Sequence, residues 1–209
     1  RRQRQMCIRD SNQLISRLKY LCEFSIVLLS SVGKYKYFCG IKEIVMLKIG
    51  LLSDTHAWWD DKYMEYFSEC DEIWHAGDIG SDTLAARLAA LKPLRAVYGN
   101  IDGQSLRLQY PQVAHFKVEE VNVMMTHIGG YPGRYNPLIR KELYDTRPNL
   151  FIAGHSHILK VAFDRSLNCL YINPGAAGKS GFHQIRTLVR FVIDGKQIKD
   201  LEVIELGNR

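Results

Sequence analysis

Short apolar runs alternate with longer amphipathic segments from Met46 to about residue 100, which is the pattern of alternating strands and helices. Leu47–Leu52 is a short, mostly apolar run of the kind that forms a buried strand. In chain order the pattern predicts strand 47–52, helix 60–69, strand 72–76, helix 82–91 with Ser81 as its N-cap, and strand 94–98. This β-α-β-α-β order favours parallel pairing with right-handed crossovers.

The second half of the chain is richer in strands. Alternation over residues 113–118 and 121–126 predicts a hairpin, and Asp194-Gly195 is a strong turn signal between two further strands. The predicted elements are strands 113–118 and 121–126, helix 137–144, and strands 150–153, 159–163, 169–172, 187–193 and 197–205. We therefore expect a mixed α/β domain in which two sheets pack face to face with helices outside.

Charge is distributed unevenly along the 209 residues. Residues 1–45 carry nine Lys or Arg against three acidic residues and so account for the whole formal charge of +6, whereas residues 46–209 carry nineteen of each kind. The basic balance therefore indicates neither a nucleic-acid surface nor a membrane surface on the domain.

Residues 1–45 are predicted not to belong to the native protein. Residues 1–11 resemble a translated sequencing adapter, and residues 12–45 fit upstream DNA that is read through in frame. We expect translation to start at Met46, so that the domain spans residues 46–209. The alternative is a signal sequence with Leu21–Val32 as its apolar core, although this run is shorter than the roughly 20 residues of a membrane span.

The five cysteines suggest a reducing compartment. Three of them lie before Met46, and the other two, Cys70 and Cys169, form no CxxC pair or zinc ribbon. We therefore expect reduced thiols and a cytoplasmic location.

Seven residues with metal-binding side chains occur in order, each just after a short apolar run: Asp54, His56, Asp78, Asn100, His127, His155 and His157. In a strictly extended strand, the two-residue spacing of Asp54 and His56 would place both side chains on one face. The last two histidines share this spacing. Gly77 and Gly99 directly precede two of the seven residues, and glycine lets the backbone approach a crowded centre. Each pair alone is a weak signal, so the joint pattern carries the prediction.

These ligand types also indicate the metal. Carboxylate oxygens, an amide carbonyl and imidazoles without thiolates suit Mn²⁺, with Fe²⁺, Zn²⁺ and Ni²⁺ as alternatives. Seven ligands are too many for one ion. Two divalent ions about 3.5–4 Å apart that share one carboxylate could hold a phosphate and acidify a bridging water.

The chain resembles the calcineurin-like metallophosphoesterase superfamily, in particular its small single-domain YfcE-like phosphodiesterases, across residues 46–206. The motifs that carry this resemblance are Ser53-Asp54-Thr55-His56, Ala76-Gly77-Asp78, Tyr98-Gly99-Asn100, Met125-Thr126-His127 and Gly154-His155-Ser156-His157. The resemblance implies a four-layer α/β/β/α sandwich of two mixed sheets. It also implies a phosphodiesterase in which a hydroxide bridging two divalent metals attacks the phosphoester in line.

The resemblance further implies how the ligands divide between the ions. The implied sets are Asp54, His56, Asp78 and His157 for one ion, and Asp78, Asn100, His127 and His155 for the other. Asp78 would bridge the two ions. Asp78, Asn100 and His127 would act in catalysis through the metals and the bridging hydroxide.

One departure concerns the general acid. Much of the superfamily has a His directly after the Gly-Asn pair, and this chain has Ile101 followed by Asp102. The acid is therefore unassigned. Asp102 is a weak candidate for it and could instead orient a ligand. Without a strong acid, we expect a preference for good leaving groups.

Two alternative functions compete with the phosphodiesterase. One is a non-catalytic scaffold, like the retromer subunit of similar fold with a degraded ligand set, and the other is a phosphomonoesterase. A nuclease acting on long DNA is disfavoured because residues 46–209 show no basic excess or added capping domain. The expected partner is a small phosphoester, and a homo-oligomer is left open.

Several lesser candidates have ordinary structural explanations. His75 is either a support for a ligand or a satisfied core histidine, and His115 is read as a surface residue without partners. The loop 173–178 resembles a family turn near the metals, with Ala176 where Ser is common. Solvated side chains are the default interpretation for Arg134, Lys179 and His183.

Overall fold

Four helices and twelve strands make up the part of the chain that a computed structural model describes, residues 46–209. The predictions for the adapter, the read-through segment and the signal sequence lie outside that range. In chain order the elements are β1 (Leu47–Leu52), α1 (Lys62–Phe67), β2 (Glu72–His75), α2 (Asp82–Leu91), β3 (Leu94–Ala96), α3 (Gln104–Gln109), β4 (Val113–Val118), β5 (Val121–Thr126), β6 (Gly130–Tyr131), β7 (Arg134–Tyr135), α4 (Pro137–Thr146), β8 (Leu150–Ala153), β9 (Leu159–Asp164), β10 (Cys169–Pro174), β11 (Ile185–Asp194) and β12 (Gln197–Asn208).

The first sheet has five strands in the order β12-β11-β1-β2-β3. β1 pairs in parallel with β2, and β2 with β3, while β11 and β12 add an antiparallel pair at the other edge. Because the carboxyl ends of parallel strands meet at one edge of a sheet, the loops after β1, β2 and β3 converge there.

The second sheet also has five strands, in the order β4-β5-β8-β10-β9. Its centre is parallel, β5 with β8 and β8 with β10, and antiparallel strands flank it on both sides. β6 and β7 form a separate two-stranded ribbon.

Alternation of side chains along the strands produces the layers. Ile49 and Leu51 of β1 lie between the two sheets, in a cluster with Val123 of β5. Leu52 points to the opposite face, where α1 and α2 cover the first sheet. Met124 similarly packs under α4 on the outside of the second sheet. The resulting four-layer α/β/β/α sandwich confirms the predicted fold class.

Most predicted elements occur with small changes in length, and the differences have local causes. α1 begins at Lys62 rather than residue 60, because the Asp60 carboxylate accepts the Lys62 amide (3.0 Å) and the Arg186 guanidinium (2.6 Å) and so belongs to the preceding loop. α3 was not predicted, since only Leu106 of its six residues is buried. Among residues 46–209, no helix is long and apolar enough to span a membrane.

Candidate metal centre

The loops after β1 and β2 carry Asp54 and Asp78 side by side. The Asp54 amide donates to the Gly77 carbonyl (3.0 Å), and the His56 amide donates to the Asp78 carbonyl (3.0 Å). Asp54 and Asp78 both have left-handed backbone, with φ of 55° and 54°. Such dihedrals are uncommon for non-glycine residues and persist where the surrounding structure imposes them.

The prediction of extended-strand geometry is wrong for both pairs, Asp54 with His56 and His155 with His157. β1 ends at Leu52, and His56, His155 and His157 have φ of 47°, 67° and 57°. The side chains in each pair converge through tight loop turns rather than through the alternation of a strand.

The first cluster consists of Asp54, His56 and His157, whose ligand atoms lie within 4.8 Å of one another. His157 Nε2 is 3.1 Å from Asp54 Oδ1 and 3.4 Å from His56 Nε2. Two ligands about 2.1 Å from a common ion are themselves about 3.0–3.4 Å apart, depending on the angle at the ion. The spacing in the first cluster therefore suits a shared cation.

An unsatisfied oxygen lies in the first cluster. Asp54 Oδ2 accepts the His155 amide (3.1 Å), but Oδ1 is fully buried and has no hydrogen-bond partner within residues 46–209. A buried carboxylate oxygen without a partner is costly. A metal ion would satisfy it, so the residues present fit a divalent cation.

The second cluster consists of Asp78, His127 and His155. His127 Nε2 is 3.2 Å from Asp78 Oδ1 and 3.1 Å from Asn100 Oδ1. The other nitrogen, His127 Nδ1, is 2.8 Å from the Ala76 carbonyl oxygen. Because a carbonyl only accepts, Nδ1 carries the proton and the Nε2 lone pair is left for a metal.

Asp78 lies between the two clusters. Its Oδ1 faces His127, whereas its Oδ2 is 3.7 Å from His56 Nε2 in the first cluster. The Ile101 amide donates to Oδ1 (3.1 Å) and holds the carboxylate in this orientation. Burial favours a raised pKa for Asp78, but contact with His127 lowers its pKa below the ordinary value overall.

The histidine pKa values reflect the same concentration of negative charge. Burial alone would lower the pKa of His127, but the carboxylates of Asp78 and Asp54 raise it above its ordinary value. Contact with Asp54 likewise raises the pKa of His157, while burial and His127 lower the pKa of His155. The centre therefore favours positive charge, which metal ions can supply.

The backbone at Gly77 and Gly99 closely approaches other residues of the site, as predicted. Gly77 has φ of +93°, and a Cβ there would lie 2.6 Å from the His127 ring. A Cβ on Gly99 would lie 2.0 Å from Asp78 Oδ1. Both positions exclude a side chain because the loops touch directly behind the ligands.

All seven predicted ligands thus meet at one edge of the sandwich, and the family can be identified. A model of the calcineurin-like phosphoesterase superfamily domain matches residues 47–196. The chain belongs to this superfamily. A probable metallophosphoesterase from Methanothermobacter thermautotrophicus is 29% identical over 167 residues, which cover 76% of this chain and 92% of that protein.

Solved structures of other proteins share the fold. A conserved uncharacterized protein from Streptococcus pneumoniae, described as a predicted phosphoesterase, is similar with a TM-score of 0.56 at 17% identity, covering 77% of this chain and 98% of that one. Vps29 from Chaetomium thermophilum has a TM-score of 0.61 at 12% identity, covering 78% and 96% respectively. At these identities the similarity establishes the fold alone.

The side chain of Asp102 accepts hydrogen bonds from the backbone of the site loops. Its carboxylate is buried and accepts three backbone amides, those of Ile79 (3.2 Å), Gly80 (2.7 Å) and Gly99 (2.7 Å). Both oxygens are engaged in fastening the Asp78 loop to the Asn100 loop, which disfavours Asp102 as the general acid. The alternative prediction, that Asp102 orients a ligand, agrees with this geometry.

His75 is a satisfied core histidine that also supports the loops. Its Nδ1 accepts the Gly77 amide (3.2 Å), so Nε2 carries the proton and donates to Thr55 Oγ1 (2.9 Å). Thr55 Oγ1 in turn donates to the Ile79 carbonyl (3.0 Å). Burial lowers the pKa of His75 to about 4, so it is neutral at physiological pH.

The other lesser candidates divide between surface and site. His115 is exposed as predicted, but it has a partner, Glu142 Oε1 at 2.6 Å. Arg134 is exposed, and Lys179 lies over the Trp58 ring at 4.2 Å. His183 is not simply solvated, because its ring contacts His157. Sequence alone offered no spacing signal for that contact.

Loop 173–178 lies buried beneath the centre. Asn173 Nδ2 donates to the Gly154 carbonyl (2.9 Å), and the Ala177 and Gly178 amides donate to the carbonyls of Ser53 (2.9 Å) and Asp54 (3.0 Å). This loop therefore joins the β1 loop to the loop that carries His155 and His157 through its backbone.

A cleft of about 220 Å³ opens beside the second cluster. Asn100 and His127 form its metal-side wall, and Ile128, Leu138 and Ile139 supply apolar surface. Its remaining lining includes Tyr98, Arg107, Gln112 and Asn136. The cleft is therefore adjacent to two of the predicted ligands.

Proposed function

We propose that the chain is a metal-dependent phosphodiesterase that uses two divalent ions, with Mn²⁺ as the preferred metal. The observation that supports this most directly is the position of Asp78, with one carboxylate oxygen toward each of two ligand clusters. The first cluster with Asp78 would hold one ion, and the second cluster with Asn100 would hold the other. Bound there, the two ions would clamp the phosphate oxygens and lower the pKa of the attacking water.

The protein groups in this proposal act mainly by orientation. The Ala76 carbonyl fixes the tautomer of His127, and the Ile101 amide fixes one oxygen of Asp78. Asp102 keeps the loops that carry Asp78 and Asn100 at a constant separation. Preorganised ligands reduce the reorganisation required when charge develops on the phosphate.

The cleft favours a diester over a monoester, and the residue after Asn100 favours a good leaving group. The cleft beside Asn100 and His127 has apolar walls that suit a second ester group rather than a second phosphate charge. The residue after Asn100 is Ile101, which is 46% exposed and cannot donate a proton from its side chain. We therefore propose a small phosphodiester with a good leaving group as substrate. From the motifs we also propose a YfcE-like subfamily, and from the free thiols of Cys70 and Cys169 a cytoplasmic location.

The test is hydrolysis of bis-p-nitrophenyl phosphate by the full chain after chelator treatment and addition of Mn²⁺, Mg²⁺, Ni²⁺ or Zn²⁺. We expect turnover with Mn²⁺ and, in Asp78→Asn, a loss of at least about 100-fold in kcat/KM, since even outer groups around metal ligands contribute about 10–100-fold. Asp145→Asn is the control, because Asp145 lies on an exposed helix face. p-Nitrophenyl phosphate in parallel measures monoesterase activity.

Absence of turnover with every metal would support the non-catalytic scaffold instead. Undiminished turnover in Asp78→Asn would refute Asp78 as the ligand that the two ions share. A higher kcat/KM for the monoester than for the diester would support a phosphomonoesterase.

A further inference from the structure

His183 lies in the loop between β10 and β11, next to the first cluster. Its Nε2 is 3.0 Å from the Gly178 carbonyl oxygen, and its Nδ1 is 3.3 Å from His157 Nδ1. The two rings meet edge to face, with centroids 5.3 Å apart. Gly181 makes this approach feasible, because a Cβ there would lie 2.0 Å from His157 Nδ1.

Hydrogen-bond chemistry determines the tautomer of both rings. The Gly178 carbonyl can only accept, so His183 Nε2 carries a proton and donates. In the neutral ring, Nδ1 of His183 is then an acceptor, so the facing Nδ1 of His157 must be the donor. His157 Nε2 consequently has its lone pair directed at the first cluster, where Asp54 Oδ1 is 3.1 Å away.

These contacts form a chain that starts at the backbone carbonyl of Asp54 and returns to the side chain of Asp54. The Gly178 amide donates to the Asp54 carbonyl (3.0 Å), His183 donates to Gly178, and His157 donates to His183. The chain of contacts ends beside Asp54 Oδ1, the buried oxygen that has no hydrogen-bond partner within residues 46–209. Asp54 Oδ1 and His157 Nε2 would therefore both be available to the cation of the first cluster.

We propose that His183 is a positioning residue that fixes the orientation and tautomer of His157 for the ion held by the first cluster. The inference rests on the proposed metal centre. It assigns the two ions separate supports, since His127 in the second cluster is oriented by the Ala76 carbonyl and not by His183. Loss of the His183 contacts should therefore affect one ion more than the other.

The test compares two substitutions of His183 in the full, chelator-treated chain by calorimetric titration with Mn²⁺. His183→Phe keeps an aromatic ring but removes both nitrogens, whereas His183→Gln retains a side-chain acceptor and donor. We expect His183→Phe to weaken one of two Mn²⁺ equivalents by about 10–100-fold, the usual effect of removing a partner of a metal-bound histidine. His183→Gln should recover most of this loss. His115→Phe is the matched control, because His115 is exposed and its ring contacts Glu142 rather than a predicted ligand.

Three outcomes would overturn the proposal: unchanged binding of both equivalents in His183→Phe, equal weakening of both, or equal effects of Phe and Gln. The proposal would also be overturned if metal-free His183→Phe lost as much free energy of unfolding as it lost in free energy of Mn²⁺ binding, because this would indicate a purely structural role.

A second readout is independent of affinity. In ¹⁵N NMR spectra of the metal-free chain, we expect His157 to be protonated at Nδ1 and to shift toward the Nε2-protonated tautomer in His183→Phe. An Nε2-protonated His157 in the unaltered chain would contradict the proposed orientation. Neither experiment uses phosphodiester hydrolysis, so an inactive protein that gave these results would refute the proposed activity alone.

Discussion

Asp102→Ala provides a quantitative test of how the metal-binding loops are held. The Asp102 side chain is 3% exposed and accepts three amides, of which those of Ile79 and Gly99 are buried and that of Gly80 is partly buried. Truncation leaves the two buried donors without partners, at about 1–3 kcal/mol each, while water can reach the third. We therefore expect a loss of about 4 kcal/mol in the free energy of unfolding.

The assay is urea and thermal unfolding of the metal-free chain, so that changes in metal affinity do not contribute to the measured stability. For a domain of this size, about 4 kcal/mol corresponds to a fall of about 8–16 °C in Tm. Asp102→Asn, which retains one acceptor oxygen, should lose about half as much. Asp145→Ala, which removes an exposed i,i+4 ion pair with Lys141, should change stability by less than about 0.5 kcal/mol.

The two interpretations of Asp102 predict different results. If the free energy of unfolding of Asp102→Ala lies within about 1 kcal/mol of that of the unaltered chain but turnover is lost, the role of Asp102 in fastening the two loops is refuted and a direct catalytic role is supported. A stability loss of about 4 kcal/mol, with the three amide contacts removed, supports the role of Asp102 in fastening the two loops.

Three further predictions follow from the packing around the site. Gly99→Ala should weaken Mn²⁺ binding at least about tenfold in calorimetry, because its Cβ would lie 2.0 Å from Asp78 Oδ1; unchanged affinity would contradict the close approach. Asp60→Asn should lower the free energy of unfolding by about 1–3 kcal/mol at pH 7. Burial alone would raise the pKa of Asp60, but Arg186 lowers it below the ordinary value. The stabilisation is therefore present above a pH of about 4 and is lost as the pH falls through the folded-state pKa, which unfolding at several pH values would show. Leu138→Ser, at a side chain that is 85% exposed, should lower kcat/KM about fivefold for a p-nitrophenyl diester with an aromatic second arm but not for one with a methyl arm, and equal effects would argue against the cleft as the site of that arm.

Local patterns in the sequence were sufficient for much of the fold. The helix Asp82–Leu91 with its Ser81 cap and the hairpin of β4 and β5 occur at the predicted residues. Both depend on signals within a few residues, an N-cap hydroxyl in one case and period-two alternation in the other. The order of such elements also predicted where the site lies, because parallel pairing places the loops after β1, β2 and β3 at one edge of the sheet.

The parts that sequence did not reveal depend on contacts between distant residues. The left-handed backbone of Asp54 and His157 is imposed by the neighbouring loops, so local propensity would have predicted extended geometry instead. Asp102 reaches amides 22 and 23 residues away, and His183 reaches a histidine 26 residues away. No spacing rule links such positions without the fold, and the resemblance supplied the ligands but not these supports.

The central claim, that two ions share Asp78 and are both needed for phosphodiester hydrolysis, is tested most directly by titrating the chelator-treated chain with Mn²⁺ while recording initial rates with bis-p-nitrophenyl phosphate. We predict that turnover stays low through the first equivalent and rises to its plateau as the second equivalent binds. Full activity at one equivalent would contradict the dinuclear site, and no activity at any equivalent would contradict the proposed reaction.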